Sequence, residues 1–224
     1  EEVVAAEEEI DQMTTTQTLD TGAIPEDEQL LDENVVAIVI GHGHLDHVGA
    51  IHKLAGAYDC PIYCTPYTKK IVDRMIENDR KNVPNTVIEV EKGDVTEVTD
   101  KMSLEFAHVN HSIPDATLSL LKTPDGYVVY GNDMKIDRSP VIEETTDIGR
   151  LKEVGNQGVK LMIPGTTRVD EAGRARSEES VRVELEDVLN SCYEAGGAVI
   201  LSTFSSQIGR LKSIIEANDG RRNI

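Results

Sequence analysis

"IVIGHGHLDHVGAI", residues 38–51, places His42, His44, Asp46 and His47 within six positions, between an apolar run and an amphipathic one. The preceding "VVAIVI" (35–40) is rich in β-branched residues and reads as a strand buried on both faces. Beyond the motif, Val48, Ile51, Ala55 and Tyr58 recur at helical spacing and predict a helix of about three turns. The four polar residues therefore sit in a strand-to-helix turn. His42 and His44, two apart in an extended loop, present their imidazoles to the same side, and Asp46 and His47 fall where the helix begins. Two adjacent sets of mixed nitrogen and oxygen donors suit one or two Zn²⁺ ions. The plainer alternative is a solvated loop with His44 capping a carbonyl, and three histidines with an aspartate in one such turn weigh against it.

The rest of the chain alternates in the same way. "CPIYCT" (60–65) reads as a strand, and "PYTKKIVDRMIEND" (66–79) as a helix that opens near Pro66 and carries Ile71, Val72, Met75 and Ile76 on one face. "TVIEVEKGDVTEV" (86–98) and "MSLEFAHVN" (102–110) alternate as strands, and "TLSLLKTPDGYVVYG" (117–131) is a hairpin turning at Pro124-Asp125-Gly126. "GVKLMIPG" (158–165) predicts a strand, and Ser177 caps a helix running to about Tyr193, with Glu178 and Glu179 in its first turn. "GAVILSTF" (197–204) predicts a last strand leading into the helix "SSQIGRLKSIIEAN" (205–218). Strands interleaved with helices imply a layered α/β domain. Residues 1–34 are acidic, Thr-rich and weakly periodic, and read as an irregular start.

Two further donors lie just beyond strands. "NHSIPDA" (110–116) puts His111 at one strand end, and "VVYGNDMKID" (128–137) puts Asp133 at the next after the hairpin. In open α/β sheets ligands gather at the carboxyl ends of strands. Alone, either residue is as readily a satisfied loop residue; three strand ends offering metal donors in order favour a site.

The 41 acidic and 22 basic residues give a formal net charge of −19 over 224 residues. In an ordinary cytoplasm that balance opposes nucleic-acid binding. At molar salt the Debye length shrinks to roughly 3 Å, and a dense acidic surface keeps a protein soluble. The acids are spread along the whole chain, which favours the high-salt reading and leaves RNA open as a substrate. Cys60, Cys64 and Cys192 form neither an even disulfide set nor a CxxC pair, so a reducing compartment is expected. With 39% hydrophobic and only 4% aromatic residues, the core is expected to be aliphatic. No apolar run reaches the roughly 18 residues of a membrane helix, and a cytoplasmic, membrane-free protein is expected.

"HGHLDH" (42–47) resembles the HxHxDH signature of the metallo-β-lactamase superfamily. The resemblance implies a four-layer αββα sandwich of the α/β class, with His42, His44 and His111 on one zinc, Asp46 and His47 on a second, and Asp133 bridging them; Mn²⁺ is an acceptable substitute. The flanks narrow the branch. "NHSIPDATLSLLKTPDGYVVYGNDMKID" (110–137) closely resembles RNase J-type ribonucleases of the β-CASP group, "STFSSQIGRL" (202–211) resembles their entry into the β-CASP insertion, and "GAIPEDEQLL" (22–31) resembles archaeal members. The acidic bias would suit a haloarchaeon. The domain organisation implied is an irregular acidic segment at 1–21, a partial metallo-β-lactamase domain at 22–200 and the beginning of a β-CASP domain at 201–224. In "IPGTTRVD" (163–170), Gly165 stands where the family usually carries Asp or Glu.

The function implied is hydrolysis of RNA phosphodiester bonds, with 5′–3′ exonuclease action as a family trait, single-stranded RNA as partner and a homodimer for a full-length protein. Asp46, nearest the bridge between the ions, is the candidate to orient the attacking hydroxide and take its proton. Ser112, Ser205 and Ser206 are the candidate phosphate contacts, with Lys135, Arg168, Arg174 and Arg176 as candidate helpers. No histidine occurs after His111, whereas the superfamily completes its second metal with a later one. The sequence thus reads as a fragment expected to be weakly active alone. The competing readings are a small-molecule zinc hydrolase acting on thioesters or lactones, and a non-catalytic RNA-binding scaffold of the same fold. The acidic surface carries a direct test: the melting temperature should rise from low to molar KCl, and a fall would overturn the high-salt reading.

Overall fold

The computed structural model describes residues 34–78 and 83–218. The irregular segment expected at 1–21, the "GAIPEDEQLL" stretch and the last six residues lie outside them. Two sheets organise the chain. The first is parallel and three-stranded, in the order β1 (Ile38–Ile40), β2 (Ile62–Cys64), β3 (Val87–Glu89). The second is five-stranded, in the order β4 (Val95–Thr99), β5 (Met102–His108), β6 (Thr117–Thr123), β7 (Gly126–Gly131), β8 (Val159–Pro164), antiparallel except for the parallel β7–β8 pair. The single run expected over 86–98 is thus two strands, because the chain leaves one sheet after Glu89 and joins the other at Val95.

Side-chain alternation produces the layers. From the first sheet, Ile40, Ile62 and Cys64 pack with Val48, Ile51, Ala55 and Val72, which come from the short helices α1 (Leu45–Val48) and α2 (Ile51–Leu54), the turn after α2, and the long helix α3 (Pro66–Asn78). The opposite face presents Val39, Tyr63 and Ile88 to Leu104 and Phe106 of β5, filling the space between the sheets. Beyond them, Ala107, Leu118, Leu120 and Val129 face Val154 and Leu151 of helix α4 (Ile148–Gln157). Helices, sheet, sheet and helix make the αββα order. Helices α5 (Glu178–Glu194) and α6 (Ile208–Asn218) pack on each other, and Ser177 caps α5 by accepting from the Glu179 amide.

Two local expectations are corrected. The three-turn helix after the motif is broken into α1, α2 and a 3₁₀ turn at Ala55–Ala57. Neither of the two short helices has a side-chain cap, and Gly49 ends α1. Its apolar face survives the break, because Val48, Ile51 and Ala55 are all buried. "GAVILSTF" forms no strand: Ile200 is 95% and Phe204 82% exposed, and no described strand pairs with that segment. β-branched residues need a ladder partner to become a sheet element.

One ion pair fastens α4 to the second sheet. Arg150 Nε and Nη2 donate to Glu105 Oε1 and Oε2, each at 2.7 Å, and Glu105 is buried. Arg150→Ala strands that carboxylate in the interior and should cost about 3 kcal/mol. Urea unfolding of the two proteins checks the figure, and a loss below about 1 kcal/mol would mean that water reaches Glu105 freely.

Candidate metal centre

The site is assembled where β1, β5 and β7 end. Gly41 and His42 come directly after β1, and the chain then enters α1, whose first amides at His47 and Val48 donate to the His44 carbonyl at 2.9 and 3.0 Å. Asp46 and His47 lie in that single turn. His111 lies three residues beyond the end of β5, and Asp133 two beyond the end of β7.

Six side chains converge. Donor atoms of His42, His44 and His111 lie within 4.8 Å of one another, as do those of His42, His47 and Asp133. His111 Nε2 is 3.0 Å from His44 Nδ1, and His47 Nε2 is 3.5 Å from Asp133 Oδ2 and 3.4 Å from Asp46 Oδ2. Asp46 belongs to neither triplet and is 72% exposed, so it stands at the mouth of the cluster.

His42 is the centre of the group. It is fully buried, and neither ring nitrogen has a hydrogen-bond partner among the described residues. Burial, and then the neighbouring rings of His47, His111 and His44, push its pKa down to about 2. Burial and His44 likewise lower His111 to about 4, against the pull of Asp133. Burial thus disfavours the charged form of both rings, and the two ring nitrogens of His42 are left without a hydrogen-bond partner among the described residues. Orphaned imidazole nitrogens beside a carboxylate are the donor chemistry that Zn²⁺ takes, and the residues present fit such an ion.

A family model described as a beta-lactamase superfamily domain matches residues 13–180. The chain belongs to the metallo-β-lactamase superfamily. Within this superfamily it is a homologue of ribonuclease J: the protein of that name from Methanocaldococcus jannaschii is 39% identical over 211 residues, covering 93% of this chain and 47% of that protein. The Pyrococcus abyssi ribonuclease J is 40% identical over the same shares. The chain therefore spans about half the length of these curated relatives. Among solved structures, a protein of unknown function from Enterococcus faecalis V583 superposes with a TM-score of 0.56 at 22% identity, over 80% of this chain and 44% of that one, a likeness of fold.

The other residues singled out from this superfamily member's sequence surround the cluster unevenly. Ser112 Oγ is 3.3 Å from His44 Nε2, at the edge of the cluster. Ser205 and Ser206 lie on an exposed turn before α6, and the Gly209 amide, at the start of that helix, donates to the Ser112 carbonyl at 3.4 Å. Arg168, Arg174 and Arg176 line a cavity of about 510 Å³ that also exposes His111, Asp133 and Lys135. Lys135 pairs with Asp137 and Glu178, Arg168 with Glu171 and Arg176 with Glu184. Gly165 is explained by close approach: a Cβ there would run into the Asn132 carbonyl oxygen, so an acidic side chain has no room at that position. Sequence reasoning passed over Asn110 and Asn132, although each immediately precedes a donor.

The depressed histidines give the site a pH signature. Below about 6.5 the unfolded chain takes up a proton that folded His111 refuses until about 4, so its contribution to stability is complete above 6.5 and is lost as pH falls toward 4. His42 acts in the same direction. Metal-free protein in EDTA should lose stability steadily between pH 7 and pH 4.5, and His111→Phe should flatten part of that slope; an unchanged slope would mean that His111 is not the source.

Proposed function

We propose that this superfamily member is a metal-dependent ribonuclease that holds two zinc ions and hydrolyses phosphodiester bonds of single-stranded RNA, in the 5′–3′ direction. The observation that carries the reading is the fully buried, partnerless His42 shared by two donor triplets, in a homologue of ribonuclease J. His42, His44 and His111 would hold one ion, and Asp46 and His47 the second, with Asp133 between them. Zinc there supplies Lewis-acid polarisation and water that ionises near neutral pH.

The remaining work belongs to the chain. Asp46, exposed beside His47, is within reach of an incoming water and accepts its proton while orienting it. Ser112 at the cluster edge, and Ser205 and Ser206 before α6, offer hydroxyls and amides to backbone phosphates, contacts that carry no sequence information. The cavity lined by Arg168, Arg174 and Arg176 extends from His111 and Asp133; Arg168 and Arg176 are paired with Glu171 and Glu184, and an entering phosphate backbone would compete with those carboxylates for them. Neutral thioesters or lactones carry no charge with which to compete for those arginines.

In the full-length protein, Asp46→Asn should keep the fold and lower cleavage of single-stranded RNA by roughly 10²–10⁴-fold. The assay uses 5′-monophosphorylated RNA labelled at either end, with metal content measured on the same samples. Active protein free of zinc and manganese would remove the metal from the proposal. Turnover of a thioester with none of RNA would move the function to small-molecule hydrolysis.

A further inference from the structure

The donors come from three separate strand ends, and something must set the distances between them. Two buried asparagines lie at the joins. Asn132 directly precedes Asp133 and is 6% exposed. Its Nδ2 donates to the Thr117 carbonyl at 3.2 Å, while Thr117 donates through both its amide (3.0 Å) and its hydroxyl (2.9 Å) to the carbonyl of Gly41, the residue before His42. The Asn132 amide lies so close to the Gly41 Cα that any Cβ at that position would collide with it. A continuous path of side-chain and backbone bonds thus runs from Asp133 to His42.

Asn110 repeats the arrangement on the other side. It directly precedes His111 and is 5% exposed. Its Oδ1 accepts from the Thr146 amide and hydroxyl at 3.1 and 3.2 Å, and its Nδ2 donates to the Glu144 carbonyl. Its own carbonyl accepts from the Lys135 amide at 2.7 Å, two residues after Asp133, and the Thr146 hydroxyl also reaches the Lys135 carbonyl at 3.3 Å. His111 and Asp133 are therefore pinned to each other through Asn110.

We propose that Asn110 and Asn132 are positioning residues that set the separation of the three donor-bearing strand ends, and through it the affinity and geometry of the metal centre. Neither asparagine belongs to the donor cluster. Each uses a neutral amide, which fastens backbone to backbone without adding charge beside the donors; a carboxylate at 132 would turn an acceptor toward the Thr117 carbonyl and lose the bond. The inference rests on the metal-binding part of the proposed function and is independent of the substrate.

The test measures Zn²⁺ affinity by chelator competition, the visible spectrum of the Co²⁺-loaded protein, and the urea stability of the metal-free protein. Asn110→Ala and Asn132→Ala should weaken Zn²⁺ binding roughly 10- to 100-fold and shift the Co²⁺ bands. Arg150→Ala, which breaks the pair with Glu105 and removes no bond of either asparagine, is the control and should lose stability with a smaller change in affinity and spectrum than either asparagine variant. Thr117→Val removes only the hydroxyl bond to Gly41 and should give a smaller shift in the same direction, which keeps the idea testable if an asparagine variant does not fold. Affinities within twofold of the parent in the folded variants, or an equal loss in Arg150→Ala, would overturn the positioning role. A parent protein that binds neither ion would instead overturn the metal reading itself.

Discussion

A buried imidazole with neither nitrogen hydrogen-bonded is an expensive thing to fold around, at roughly 1–3 kcal/mol for each unsatisfied polar group. His42 is in that state, with three other histidine rings around it at centroid distances of 4.1 to 4.9 Å. Hydrophobic burial elsewhere must offset this cost, and the surroundings prevent the usual escape: protonation is suppressed by burial and by the other rings. The arrangement is a set of lone pairs held ready and pointed inward. Most of the molecule can be understood as the frame that keeps them there.

That frame is a sandwich whose three apolar layers are built mostly from aliphatic side chains, with Phe106 and Tyr63 the large buried ones between the sheets. A parallel sheet delivers His42 at the end of a strand, and the second sheet delivers His111 after β5 and Asp133 after β7, with β6 between those two strands. Neither sheet alone brings more than part of the donor set together. The site is therefore a property of how the two sheets register against each other, and Thr117, bonded to the Gly41 carbonyl, is where that register is fixed.

Much of this was legible because the signals were local. The β-branched run before His42, the two-residue turn at Pro124 and Asp125 and the Ser177 cap each depend on neighbours in sequence, and the donor residues betray themselves by density. What depended on distant partners was not legible. The break between β3 and β4 reflects which sheet each half pairs with. The failure of "GAVILSTF" to form a strand reflects the lack of a ladder partner among the described residues, to which alternation is blind. Gly165 looked like a missing acid when judged by resemblance, whereas its neighbour in space is the Asn132 carbonyl. Asn110 and Asn132 lacked any periodic signature; only their place immediately before His111 and Asp133 marked them.

Strand β8 carries a consequence of a different kind. Every one of its six residues is exposed, including Leu161, Met162 and Ile163, and it forms one border of the second sheet. Among the described residues no strand pairs with its outer side, and an unpaired apolar border of this kind is a template for another extended segment. The countervailing force is colloidal: chains of net charge −19 repel before their borders can meet. Screening by salt relaxes that repulsion while leaving the border as sticky as before. If stability rises with salt, as the acidic composition predicts, self-association would rise with it, and the two responses would set opposing limits on the solvent in which this fold stays both intact and dispersed.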